Sequence, residues 1–176
     1  MGLVSHRVEM RHLKAGDHIY SYRSAFLYSH HGIYKGEGQV IHFTSSSSSS
    51  VHRREVCSAC EMLEHSERSS GVIVSCVECF LKSGSLRRYK YGVKKKSYFM
   101  KRRGTCNTAE PGPVEVVLER AESLLAQNGF GDYHVLQNNC EDFATYCKTG
   151  QGCSRNGTAR RYGQASVLPL GLASRR

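Results

Sequence analysis

The stretch SHHGIYKGEGQVIHFT, residues 29–44, holds two β-type runs around a turn. FLYSHHGIY, 26–34, is aromatic and rich in β-formers; KGEG has turn chemistry; QVIHF, 39–43, is a second strand. The spacing therefore predicts a hairpin over 26–43. Side chains alternate across a strand, so the loop decides which of its histidines meet. An odd loop puts His30 and His42 on one face; a two-residue loop at Gly36-Glu37 opposes His31 to His42 instead. Composition leaves both registers open. Two imidazoles on adjacent strands can act as a base and its orienting partner for a nucleophile. A lone strand histidine is more often a hydrogen-bonded structural residue, and for a same-face pair the two readings balance.

A nucleophile is offered by NNCEDFATYC, residues 138–147. Asn139 is a good N-cap and puts Cys140 in the first turn of a helix, where the partial positive charge favours a thiolate. Glu141 and Asp142 follow directly and push the thiol pKa back up, so Cys140 needs a base. Cys140, Phe143, Ala144 and Cys147 also share one helix face, and free cysteine is commonly buried. Taken alone, this helix reads as packing more readily than as catalysis.

The rest of the chain supplies a frame. HIYSY, 18–22, reads as a strand after the turn KAGD. Val114, Val117, Leu118, Ala121, Leu124 and Leu125 recur at helical spacing between Pro113 and Gly129, predicting a helix over 113–128. YHVL, 133–136, reads as a short strand, and a second helix runs from about Asn139 to Lys148. Six consecutive serines, 45–50, mark a loop or insertion boundary. A Cys-rich insertion follows, at about 51–82. The sequence thus predicts one domain over 12–150, with weakly ordered tails at 1–11 and 151–176.

Cys57-Ser-Ala-Cys60 and Cys76-Val-Glu-Cys79 are two CxxC motifs separated by fifteen residues. That spacing suits four thiolates around a structural zinc with no open position. Free or redox thiols are the alternative, and His52 and His65 are weaker substitute ligands. Zinc would supply folding free energy to an insertion with little core of its own. Cys106, Cys147 and Cys153 stay unassigned.

The 176-residue chain carries a net charge of +10. Nine lysines and arginines lie within RRYKYGVKKKSYFMKRR, 87–103, interleaved with Tyr89, Tyr91, Tyr98 and Phe99. Such a segment can meet anionic lipid headgroups or single-stranded nucleic acid, or be a solvated strand surface; the three weigh alike on composition. No apolar run reaches eighteen residues, so no transmembrane helix is expected, and MGLVSHRV lacks a signal-type apolar segment. His6 stands where the myristoylation pattern wants Ser or Thr. Eight cysteines without a secretory signal favour a cytoplasmic chain whose thiols bind metal or react.

SHHGIYKGEGQVIHFT followed downstream by NNCEDFATYC resembles the lecithin:retinol acyltransferase (LRAT)-like proteins of the NlpC/P60 superfamily, and is most similar to plant-type members with a cysteine-rich insertion. The resemblance covers about residues 12–150. The family's pattern, a histidine, two residues, Ile-Tyr, and a second histidine twelve positions on, falls on His30 and His42, and its nucleophile falls on Cys140. It implies an α+β fold, an antiparallel sheet packed against helices in a permuted papain-like arrangement. The implied reaction is thiol-dependent acyl transfer or phospholipase-like hydrolysis: Cys140 attacks a glycerophospholipid ester, His30 moves the proton and His42 orients His30. It also ranks peripheral contact of 87–103 with an anionic membrane above nucleic acid. The chain departs from the pattern in lacking the C-terminal hydrophobic anchor of several animal members, in its serine tract after His42, and in His31 where an aromatic or apolar residue is usual. The competing classes are a non-catalytic lipid- or protein-binding module on the same fold with structural zinc, and a zinc-dependent nucleic-acid binder.

Overall fold

The computed structural model describes residues 7–23, 28–45, 70–101, 104–135 and 137–151. The serine tract from 46, the insertion up to 69 and the tails at 1–6 and 152–176 lie outside the described residues. Strands β1 (His18–Arg23), β2 (Tyr28–Gly36), β3 (Gln39–Thr44), β4 (Gly71–Cys76) and β5 (Arg87–Arg88) form one sheet in the order β4-β3-β2-β1-β5. Every neighbouring pair is antiparallel. Four helices join it: α1 (Val77–Leu81), α2 (Lys95–Met100), α3 (Val114–Gln127) and α4 (Cys140–Thr149). The α+β class expected from the sequence is the class observed.

Strand alternation splits the core in two. Ile33, Ile41, Phe43 and Val72 face Val117 and Ala121 of α3 and Phe143, Ala144 and Cys147 of α4. On the other face Ile19, Tyr34 and Val40 pack against Val77 and Phe80 of α1 and against Leu86. The apolar helix face around Cys140 is therefore a packing face, as its spacing suggested; burial lifts the Cys147 thiol pKa to about 12 and leaves it an inert core residue.

Three local readings differ from the sequence expectation. GVIVSC, at the end of the Cys-rich stretch, is a strand of the main sheet, because Val72 and Ile73 each bury against a different core face. Residues 133–135 form no strand: His134 makes an isolated bridge to Asn138. The basic segment holds the two-residue β5 and then the short helix α2, since a run of cations gives a sheet nothing to bury.

The β2–β3 hairpin turns at Glu37 and Gly38, both at positive φ (49° and 76°), the backbone that matches strand twist. One extra residue enters between Tyr34 and Gly36, where the register shifts from Tyr34↔Val40 to Gly36↔Gln39. Turn plus bulge make an odd connection. His42 consequently faces Gly32, and His30 lies diagonally beside it on the same side. Gly32 is required there: a Cβ would lie 2.7 Å from Val40 Cγ1, 3.0 Å from the Ile41 carbonyl oxygen and 3.1 Å from His42 Cβ. Gly32→Val should destabilise the fold by about 1–3 kcal/mol through overpacking, read as a lowered urea midpoint at unchanged slope. An unchanged midpoint would mean that the hairpin tolerates a side chain opposite His42.

Candidate functional site

The N-terminus of α4 is built by Asn139. Its Oδ1 accepts from the amides of Glu141 (2.9 Å) and Asp142 (3.2 Å), and Asp142 Oδ2 accepts from the Asn139 amide at 3.2 Å. This capping box holds the first turn rigidly. Asn139 Nδ2 donates to the Val135 carbonyl (2.8 Å), tying the preceding loop to the helix. Glu141 Oε1 accepts from the Tyr89 hydroxyl at 3.2 Å. Both acids that weigh against a thiolate are thus engaged by the protein.

Cys140 is 1% exposed. Its thiol donates to the Ser29 carbonyl (3.7 Å) and accepts from the Tyr133 hydroxyl (3.8 Å). Burial, reinforced by the nearby Cys140 charge, raises the Tyr133 pKa, so this hydroxyl keeps its proton and remains a donor to sulfur. Arg23 adds a cation. Burial lowers its pKa while Tyr28 and Cys140 pull it back up, and its guanidinium donates to the carbonyls of Leu81 and Phe80. Tyr133 and Arg23 carry no motif and were not singled out by sequence.

His30 and His42 meet on the α1 side of the sheet, His30 Nε2 lying 2.9 Å from His42 Nδ1. Phe80 underlies both rings at 5.2 and 5.4 Å. His42 Nε2 lies 3.0 Å from Ser75 Oγ, and that hydroxyl donates to the Cys76 carbonyl at 3.3 Å. The donors then order themselves. Ser75 accepts from His42 Nε2–H, His42 Nδ1 accepts from His30 Nε2–H, and His30 Nδ1 is left as the unprotonated nitrogen. Burial, then His42, Arg23, His31 and Lys82, holds the His30 pKa well below the ordinary histidine value, so its resting state is the neutral imidazole a base requires. The same-face pairing of His30 with His42 is observed.

The opposite face carries a second histidine pair. His18 Nε2 and His31 Nδ1 are 2.8 Å apart, His18 Nδ1 is 2.8 Å from the Tyr91 hydroxyl, and His31 Nε2 is 2.8 Å from Ser29 Oγ. Tyr89 stacks on His18 and Tyr20 on His31. The chain Tyr91–His18–His31–Ser29 runs beneath α4 and ends on the residue whose carbonyl holds the Cys140 thiol. Sequence reading weighed His31 as an alternative partner for His42 and then as a neighbour of His30, and did not weigh His18, because the meeting of His18 with His31 depends on the pairing of β1 with β2.

The structure therefore brings His30 to His42, and Cys140 to Ser29, the residue directly before His30. Arg23 interacts with both His30 and Cys140. The histidines that share Cys140's side of the sheet are His18 and His31. The sequence profile of the lecithin retinol acyltransferase (LRAT) family matches residues 11–153. The chain belongs to the LRAT family. It is also 44% identical to Protein LEAD-SENSITIVE 1 of Arabidopsis thaliana over 183 residues, covering 94% of this chain and 68% of that relative. LRAT membership suggests acyltransferase- or hydrolase-type chemistry.

Of the four cysteines expected to hold zinc, Cys57 and Cys60 lie outside the described residues. Cys76 ends β4 and caps α1, its Sγ accepting the Cys79 amide at 3.2 Å. Among the described residues no three histidine, cysteine or acidic side chains converge as a metal site. No helix among them is long and apolar enough to cross a membrane.

The buried histidines set an acid limit on stability. Burial lowers the folded-state pKa of His18 well below its ordinary value and that of His31 to about 3. Unfolded, both bind protons from about pH 6.5 downward, so the unfolded state gains protons that the folded state refuses. Stability should be level above about pH 6.5 and fall below it by about 1.4 kcal/mol per pH unit for each such histidine. Urea titrations from pH 7.5 to 4 should show this slope, and His31→Gln should make it shallower; a midpoint flat across that range would contradict the neutral buried chain.

Proposed function

We propose that the chain is a thiol-dependent acyltransferase or phospholipase-like hydrolase acting on glycerophospholipid esters through an acyl-cysteine at Cys140. The observation that carries the reading is the Ser75–His42–His30 chain. It leaves His30 Nδ1 bare as a base, one residue from the carbonyl against which the thiol rests.

The steps follow from these groups. His30 Nδ1 takes the thiol proton as Cys140 Sγ bonds to the ester carbonyl carbon. Tyr133 and Arg23 offset the negative charge on sulfur before attack. Collapse of the tetrahedral intermediate breaks the ester C–O bond, and the imidazolium returns its proton to the departing alcohol. Water, an amine or an alcohol then attacks the thioester, giving its proton to His30, and the sulfur leaves and is reprotonated. His42 holds the His30 ring and shares its transient charge. Splitting the transfer in two lets a strong nucleophile perform each half.

A full chain mixed with phospholipid vesicles should gain the mass of one acyl group, absent in Cys140→Ser. His30→Asn should slow acylation by about 10²–10⁴-fold. Adduct formation that persists in Cys140→Ser would sink the proposal. Loss in His31→Gln but not in His30→Asn would move the base to the other face of the sheet. The near-complete burial of Cys140 favours a second reading, a non-catalytic binding module. That module would keep its partner, and show no adduct, when Cys140 is replaced.

The insertion is assigned a structural zinc held by Cys57, Cys60, Cys76 and Cys79. What supports it is the two-CxxC spacing together with the Cys79 amide directed at Cys76 Sγ, a donor that favours the thiolate a metal needs. Metal analysis should return about one zinc per chain, lost on Cys57→Ser, and chelation should lower the melting temperature. Metal-free protein with unchanged melting would exclude it.

A further inference from the structure

The acyl-transfer reading leaves α2 and its flanks unused. From Cys79 to Ala109 the sequence has no Asp or Glu and ten Lys or Arg. Two of those cations serve the fold: Arg87 lies over the Tyr22 ring at 5.1 Å, and Arg88 pairs with Asp17 at 3.4 Å. Among the described residues, Lys90, Lys94, Lys95, Lys96 and Lys101 lie in a loop with a closed neck. Lys90 N donates to the Thr105 carbonyl (3.2 Å), Asn107 N to Lys90 (2.7 Å), Gly92 N to Ala109 (2.9 Å) and Val93 N to Asn107 (3.2 Å). The neck is fastened to the core, since the Tyr89 hydroxyl donates to the Cys106 carbonyl at 2.9 Å and the Tyr91 hydroxyl lies 2.8 Å from His18.

At the tip, α2 presents Phe99 at 83% and Met100 at 74% exposure. Lys94, Lys95 and Lys96 are exposed beside them, and among the described residues none has a carboxylate partner. Lys90 is held below the ordinary lysine value by partial burial and then by Lys101 and Arg88, so the neck itself feels unneutralised positive charge.

We propose that this pinned loop is a membrane wedge: Phe99 and Met100 insert below the headgroups of an anionic bilayer while Lys94, Lys95, Lys96 and Lys101 bind its phosphate and carboxylate groups. An aromatic and a thioether side chain exposed together within a cationic patch match an interface that is anionic outside and apolar beneath. A nucleic acid would use the lysines and offer Met100 no apolar layer. The backbone bonds at the neck hold the base of the loop on the core. The wedge is independent of catalysis by Cys140.

The chain has no tryptophan, so Phe99→Trp makes a sole reporter at the tip. Its emission should shift to the blue with phosphatidylcholine vesicles containing phosphatidylserine, stay put with phosphatidylcholine alone, and return as salt is raised. In flotation of the full chain, Phe99→Ser with Met100→Ser should weaken partitioning by about tenfold. Lys94→Gln, Lys95→Gln and Lys96→Gln together should weaken it by about a hundredfold, roughly fivefold per charge. All five positions are exposed, so circular dichroism should match the parent, and Cys140→Ser should bind as the parent does. Equal affinity for charged and uncharged vesicles, an unmoved tryptophan in protein that floats, or salt-sensitive binding to single-stranded RNA with none to vesicles would each overturn the wedge.

Discussion

The β2–β3 register is the constraint on which the site depends. The two-residue turn at Glu37 and Gly38 would by itself set Ile33 opposite His42; the single extra residue between Tyr34 and Gly36 moves the pairing by one, puts Gly32 there instead, and leaves His30 diagonally beside His42 on the same face. Gly32 completes the arrangement, because a Cβ opposite His42 would press on Val40 Cγ1, the Ile41 carbonyl and His42 Cβ. Because the side-chain period of a strand is two, a one-residue slip would carry every one of these groups to the wrong face. The bulge therefore sets which side chains meet in the chain from Ser75 through His42 to His30.

The sheet also separates two polar systems that differ in kind. His30 is half-buried, at the end of a chain that begins on a hydroxyl. His18 and His31 are fully enclosed among Tyr20, Tyr89 and Tyr91, and are kept neutral by burial. Both systems converge on Ser29 and His30, adjacent residues of β2, while α4 brings its thiol to the same point from above. A rigid capping box at Asn139 makes that approach reproducible, since the helix cannot fray without breaking its three side-chain bonds.

Charge is distributed with the same segregation. The acids near the thiol are tied to Tyr89 and to the helix cap, whereas the acid-free stretch after Cys79 exposes Lys94, Lys95 and Lys96 together with Phe99 and Met100. Packing interactions bind the loop's neck to the sheet, so the charged tip is held without being covered.

Much of this was legible in the residues. Helical spacing marked α3, Asn139 marked the start of α4, and alternation with KGEG marked the hairpin, because these signals are local and follow from backbone geometry and capping. The sequence by itself determined which groups are available: a thiol at a helix start, histidines on paired strands, a cationic aromatic run. Only the tertiary structure decided which of them meet. The pairing of β1 with β2 joins His18 to His31, the β3–β4 pairing brings Ser75 to His42, and the docking of α4 sets Cys140 on Ser29 and under Tyr133. The physical reason is that a hydrogen bond between side chains dozens of residues apart depends on the register and packing of whole elements, which no local pattern encodes.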